Sequence, residues 1–200
     1  MDLFSLGMPF IEIFVKPKSK LFLDNGIEKN KINLMTRSEI EFLEKKLKMS
    51  IIYKYFGDNC RNVCEGFAAL GGFATFQGEV GTDKEGNIYE ANLQNCSIAS
   101  FLEKKNGNTG KMIIIETKEN TYCVDYGVSG ECTRYLNLIK SSKIFFTTTN
   151  IFASEFPIAS LAKKYMKEAK KQGKLIAISA ENAELISHKH KEIKKIIEEY

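Results

Sequence analysis

From Gly57 to Gly86 the chain is interrupted by glycine too often to be one helix or one strand. Gly57-Asp58-Asn59-Cys60-Arg61-Asn62-Val63 is followed by Ala68-Ala69-Leu70-Gly71-Gly72-Phe73-Ala74-Thr75-Phe76-Gln77-Gly78-Glu79-Val80-Gly81-Thr82-Asp83-Lys84-Glu85-Gly86. This reads as a glycine-marked loop, a short helix, a tight Gly-Gly turn, a buried strand and a second glycine-rich loop that opens another helix. Glycine marks backbone that takes positive φ or approaches something closely. A helix N-terminus after such a loop favours anionic or hydroxylated ligands. The segment is therefore the expected floor of a small-molecule site.

The pattern on either side extends the alternation. Phe4 to Leu6 and Ile11 to Val15 read as strands around the turn Gly7-Met8-Pro9. Thr36 or Ser38 caps a helix running to Lys48, with Ile40, Leu43 and Leu47 on one face. Ile51 to Tyr55 is rich in β-formers. A helix is expected over Asn62 to Leu70, stopped by Gly71, then a buried strand over Phe73 to Gly78 and a helix over Asp83 to Asn95. Lys111 to Thr117 and Thr121 to Tyr126 form a hairpin about Lys118-Glu119-Asn120. Lys143 to Thr148 and Lys174 to Ser179 are strands, and Ile158 to Gln172 and Ser187 to Tyr200 are helices. Strand and helix alternating after Gly57 point to a right-handed parallel α/β sheet. The β-rich runs at 11–15, 31–34, 51–55 and 111–126 stand outside that alternation.

Composition narrows the function classes. With 44% hydrophobic and 27% charged residues, the 200-residue chain has the make-up of one globular domain. A net charge of +4 comes from lysines scattered among glutamates, which argues against a nucleic-acid footprint. No apolar run approaches a membrane span, and Met1-Asp2-Leu3-Phe4 lacks a basic leader, so a cytoplasmic protein is expected. Cys60, Cys64, Cys96, Cys123 and Cys132 are an odd set without framework spacing, and His188 and His190 lie far from them. They read as free thiols in a reducing compartment, not as metal ligands.

The pattern G-x-N-x-x-N-V followed by A-x-L-G-G-x-A-x-F-x-G-x-V-G-x-D-x-x-G resembles the first signature of the PfkB, or ribokinase-like, carbohydrate kinase family, most closely its adenosine-kinase-like branch. Leu6 to Ile13 resembles the family's opening strand and ligand turn. Thr109-Gly110-Lys111 to Ile115 resembles its T-G strand, and Gly173 to Ser179 with His188-Lys189-His190 the strand and helix before its midpoint. The resemblance implies an α/β, three-layer α/β/α fold with a parallel sheet, of which this chain supplies the N-terminal half. The four extra β-rich runs would then be a small sheet acting as a lid within a single domain over residues 1–200.

The same resemblance implies site residues. Glu12 stands at the family's aspartate that holds sugar hydroxyls, the alternative being a solvent-facing strand glutamate. Met8 replaces the preceding asparagine. Gly57 and Asp58 occupy the Gly-Gly hinge, and aspartate in left-handed geometry there would cost about 1 kcal/mol. Asn62 matches an asparagine that reaches a sugar hydroxyl; otherwise it caps its helix, a role Asn59 also offers. Asn120 stands on the phosphoryl side where the branch has arginine, beside Tyr122. Tyr122, Tyr126 and Phe56 are candidates to cover a nucleobase, or core aromatics. Asp83 caps its own helix.

Two readings of function follow. One is the substrate-binding and lid half of an ATP- and magnesium-dependent sugar or nucleoside kinase, with no catalytic residue expected within the chain because no G-x-G-D loop occurs in it. The other is a non-catalytic relative that binds a nucleoside or a protein partner, favoured by the departures at Met8, Glu12, Asp58 and Asn120. An exposed sheet edge would pair with a second copy or with a complementary C-terminal half.

Overall fold

The computed structural model describes residues 1–16, 26–116, 120–152, 155–181 and 183–200. In chain order its elements begin β1 (Leu3–Leu6), β2 (Phe10–Val15), β3 (Ile32–Leu34), α1 (Arg37–Lys46), β4 (Ile51–Gly57), α2 (Asn59–Ala69), β5 (Ala74–Gly81) and α3 (Lys84–Asn95). They continue with β6 (Ala99–Lys105), β7 (Gly110–Ile115), β8 (Thr121–Asp125), β9 (Ile144–Thr148), α4 (Pro157–Lys171), β10 (Leu175–Ser179) and α5 (Ala183–Glu199). Asp83 caps α3 by accepting from Gly86 N, as expected.

Strands without polar alternation build one sheet. β1 and β5 are buried at every residue, and β10-β9-β1-β5-β6 pair in parallel throughout. Burial on both faces is what a parallel sheet between helices requires. Helices α2 and α3 cover one face and α4 and α5 the other. This is the expected three-layer α/β/α arrangement. β10 lies at one edge, with Leu175 68% exposed.

Strands with alternation build the second sheet, β3-β8-β7-β2-β4. It is mixed: β2–β7 and β3–β8 are parallel, β2–β4 and β7–β8 antiparallel. Ile11, Ile13, Val15, Ile113, Ile115 and Cys123 are buried in one cluster with Ile40, Leu43 and Leu47 of the α1 segment. Because successive strand residues point to opposite faces, the intervening residues look the other way, into an open cleft.

The two sheets meet where β6 passes to β7. Asp83 also accepts from Thr109 N and Oγ1, at 2.8 and 2.7 Å. Glu85 of α3 pairs with Lys111 at 2.6 Å and Arg37 at 3.4 Å, and Arg37 reaches Asp125 at 2.8 Å and the Thr109 carbonyl.

Several expectations need adjusting. α1 starts from a Thr36–Glu39 capping box, which settles Thr36 over Ser38, and it ends at Lys46 before a short 3-10 turn at Lys48–Ser50. α2 begins three residues earlier than expected. β6 was not expected at all: it is an edge strand whose Glu103, Lys104 and Lys105 break the apolar run. α5 begins at Ala183, not Ser187. The hairpin strands are present, but of its turn only Asn120 is among the described residues. Cys60, Cys64, Cys123 and Cys132 are buried thiols. Burial pushes those of Cys64, Cys123 and Cys132 up to about 12, so they stay protonated and unreactive. Among the described residues no helix is long and apolar enough to cross a membrane.

Candidate functional site

A cleft of about 870 Å³ lies between the two sheets. Its wall is the free face of the mixed sheet. Phe10, Phe14, Met112, Ile114, Tyr122 and Tyr126 line it. Phe10 meets Tyr126 edge-on at 5.6 Å, and Phe14 stacks on Tyr53 at 4.4 Å. Its floor is polar: Glu12, Asp58, Asn59 and Asn62 from β2 and the start of α2, with Asn150 and Glu181 from the loops after β9 and β10. His188 and Lys189 of α5 also line it.

Most of the residues expected from sequence converge here. Glu12 projects from the cleft face of β2 and lies against Gly57, where a Cβ would meet its Oε1 at 2.0 Å. Gly57 ends β4 and pairs with Phe10, and its carbonyl accepts from the Tyr89 hydroxyl at 2.5 Å. Glycine is needed there for close approach.

Asp58 is corrected. Its φ of −100° is extended, not left-handed, and it is the N-cap of α2. Its Oδ1 accepts from Arg61 N at 3.1 Å and its Oδ2 from Met8 N at 2.8 Å. The aspartate thus ties the β1–β2 crossover to the helix start, and Met8, buried, takes part through its backbone. With Asp58 as cap, neither Asn59 nor Asn62 has that role. Asn62 lies a full turn into α2, its N–H donating to the Asp58 carbonyl at 2.9 Å, and its side chain lines the cleft.

Asn120 is exposed and Tyr122 half-buried, both on the cleft. Tyr126 joins them. Phe56 does not: it packs edge-on against Tyr89 at 5.9 Å on the core side of β4.

The sequence reading missed three participants. Arg61 is wholly buried and donates to Glu65 at 2.5 Å, Asn92 at 2.6 Å, Asn62 Oδ1 at 3.2 Å and Tyr55 at 3.3 Å, fastening α2 to α3 and β4. A guanidinium only donates, so Oδ1 of Asn62 must face it and the amide N–H groups are left for the cleft. Asn150 and Glu181 follow the C-terminal ends of two parallel strands, the place where open α/β sheets bind ligands; that position was the signal available for them.

The floor carries three carboxyls close together. Burial, then the charge of Asp58, raises Glu12 to about 7. Burial raises Asp58 to about 6. Burial and Asp58 raise Glu181 to about 7. Near neutral pH, Glu12 and Glu181 each hold a proton part of the time, so they both donate to and accept from hydroxyl groups.

The pfkB family carbohydrate kinase description matches residues 11–197. The chain belongs to the pfkB family of carbohydrate kinases. Solved structures agree with this pfkB assignment at the level of fold. Adenosine kinase from Sinorhizobium meliloti superposes with a TM-score of 0.85 at 18% identity, covering 98% of this chain and 61% of that one. A probable sugar kinase from Rhizobium etli CFN 42 gives 0.84 at 18% identity, with 96% and 59% covered. Adenosine kinase from Schistosoma mansoni in complex with adenosine gives 0.79 at 15% identity, with 98% and 59% covered. This pfkB chain thus spans about three fifths of the length of these neighbours. No curated protein matches it in sequence.

Proposed function

We propose that this chain forms the acceptor-binding part of an ATP-dependent sugar or nucleoside kinase, holding a ribose-like molecule whose hydroxyl receives the phosphoryl group. The observation that carries this reading is the division of one cleft into an apolar wall, suited to a base or sugar face, and a floor of carboxyl and amide groups suited to hydroxyls. Glu12 and Asn62 contact the ligand, Gly57 lets Glu12 reach it, and Asp58 holds the floor together. Tyr122 and Asn120 cover the open side, and the mixed sheet serves as lid.

Magnesium is a separate matter. Among the described residues no three His, Cys, Asp or Glu side chains form a group able to hold a metal ion.

A second reading, ligand binding without phosphoryl transfer, is favoured by the departures from the family pattern at Met8, Glu12, Asp58 and Asn120. Calorimetry with adenosine and ribose, followed by phosphoryl-transfer assays with MgATP, separates the two. Turnover supports the kinase reading, binding without turnover supports the ligand site that both readings share, and no binding removes both.

A further inference from the structure

The side chain of Asn62 lies between the cleft and a buried cation. Its Oδ1 accepts from Arg61 Nη1 at 3.2 Å, while the residue lines the cleft floor. Arg61 cannot turn away from that contact. Its Nη1 also donates to Glu65 Oε2 at 2.5 Å and to the Tyr55 hydroxyl at 3.3 Å, and its Nη2 to Asn92 Oδ1 at 2.6 Å and Cys96 Sγ at 3.2 Å. The guanidinium carbon lies 5.1 Å from the centre of the Tyr55 ring, and the residue is 0% exposed. Partners in α2, α3 and β4 thus hold the planar group in one place. The group has donors and no acceptor, so reversing the Asn62 amide would forfeit a charge-assisted bond and set two donors against each other.

We propose that Arg61 is a positioning residue for the ligand: by fixing the Asn62 amide it makes this point of the floor a donor only, which selects a ligand presenting an oxygen that accepts there. The inference rests on reading the cleft as the sugar or nucleoside site. A free amide meets a hydroxyl in either sense, because each carries both a donor and an acceptor. A fixed amide sets the sense. The hydroxyl accepts from Nδ2, so its own proton is directed away from Asn62 and toward an acceptor elsewhere on the floor, which the carboxyl of Glu12 supplies. The hydroxyl is then oriented as well as held. Arg61 does not itself line the cleft, so it reaches the ligand through Asn62.

Calorimetry with adenosine and ribose tests this, each variant's fold being checked by thermal melting. Asn62→Asp keeps an oxygen for Arg61 but turns a second oxygen, in place of an N–H group, to the cleft. It is expected to bind the tighter of the two ligands about tenfold more weakly than the unmodified protein does, and no better than Asn62→Ala. Arg61→Lys still only donates, and is expected to keep its affinity within about twofold even as its melting temperature falls. Arg61→Gln can also accept, which frees the amide, and is expected to lose about fivefold. Affinity kept while stability falls in the lysine variant is a split that general damage to the fold does not produce. Equal affinities in the folded lysine and glutamine variants, or Asn62→Asp binding as tightly as the unmodified protein, overturn the inference and leave the hydroxyl-binding site standing. Where neither Arg61 variant folds, Asn62→Asp decides alone, because it retains the guanidinium. Binding of neither ligand by the unmodified protein overturns the site reading and this inference together.

Discussion

The carboxyl group of Glu12 rests on the α-carbon of Gly57, so that strand β2 reaches the cleft floor only because strand β4 ends without a side chain. At Gly57 the missing side chain is a space filled by its neighbour.

Gly57→Ala should therefore act through Glu12. The added methyl collides with Oε1, Cδ and Cγ of Glu12, at 2.0, 2.4 and 2.9 Å. Displacing them should destabilise the fold by about 1–3 kcal/mol, the usual range for overpacking. In a Glu12→Ala background the same change should cost far less. Urea unfolding of the four proteins measures the coupling; additive effects would contradict the contact.

Stability should fall as pH rises through the range set by Glu12 and Glu181. Each holds its proton to about 7 in the fold, against an ordinary value of 4.5. Between those values the folded chain binds more protons than the unfolded chain, so the contribution is complete below 4.5, declines as pH rises, and is absent above about 7. Glu12→Gln, which cannot ionise, should be more stable than the unmodified protein at pH 8 by about 1–3 kcal/mol, and nearly equal to it at pH 4. Thermal melts at the two pH values check the sign; a variant less stable at pH 8 would contradict it.

Ligand contacts should be separable from the scaffold. Asn62→Ala and Glu12→Ala should each weaken nucleoside binding by about 1–3 kcal/mol, the range for leaving a buried partner unsatisfied. Calorimetry with adenosine is the measurement, and unchanged affinity in both variants would remove the pair from the site.

Arg61→Met should harm the fold before it harms the cleft. The guanidinium is buried and holds Glu65, Asn92 and Tyr55 at once. Losing it leaves those groups without their donor, at a cost of about 3 kcal/mol. Arg61→Lys should recover only part of that, since one ammonium cannot span the same set of acceptors. Denaturant midpoints for both variants test this.

What the sequence revealed and what it withheld divide along physical lines. The Gly57–Gly86 motif, the Asp83 cap and the stop at Gly71 were legible because caps and glycine turns act over three or four residues. The alternation of β2 was legible for the same reason. Asp58 was misjudged because its role is set by Met8, which lies 50 residues away in the chain. Arg61 was passed over because its burial depends on Asn92 of α3 and Tyr55 of β4 as well as on Glu65 of its own helix. Glu181 and Asn150 carry no local motif, and only the parallel pairing of β9 with β10 brings them together. Strand β6 was missed because its charged end reads as loop until β5 supplies the partner.

The strict division of labour in the mixed sheet also bears on how such a protein changes over time. Ile11, Ile13 and Ile113 hold the sheet to its core, while Glu12, Phe14 and Met112, one position along, line the cleft. Specificity can then drift one side chain at a time with the architecture intact, which lets members of one family diverge widely in what they recognise while their backbones remain superposable.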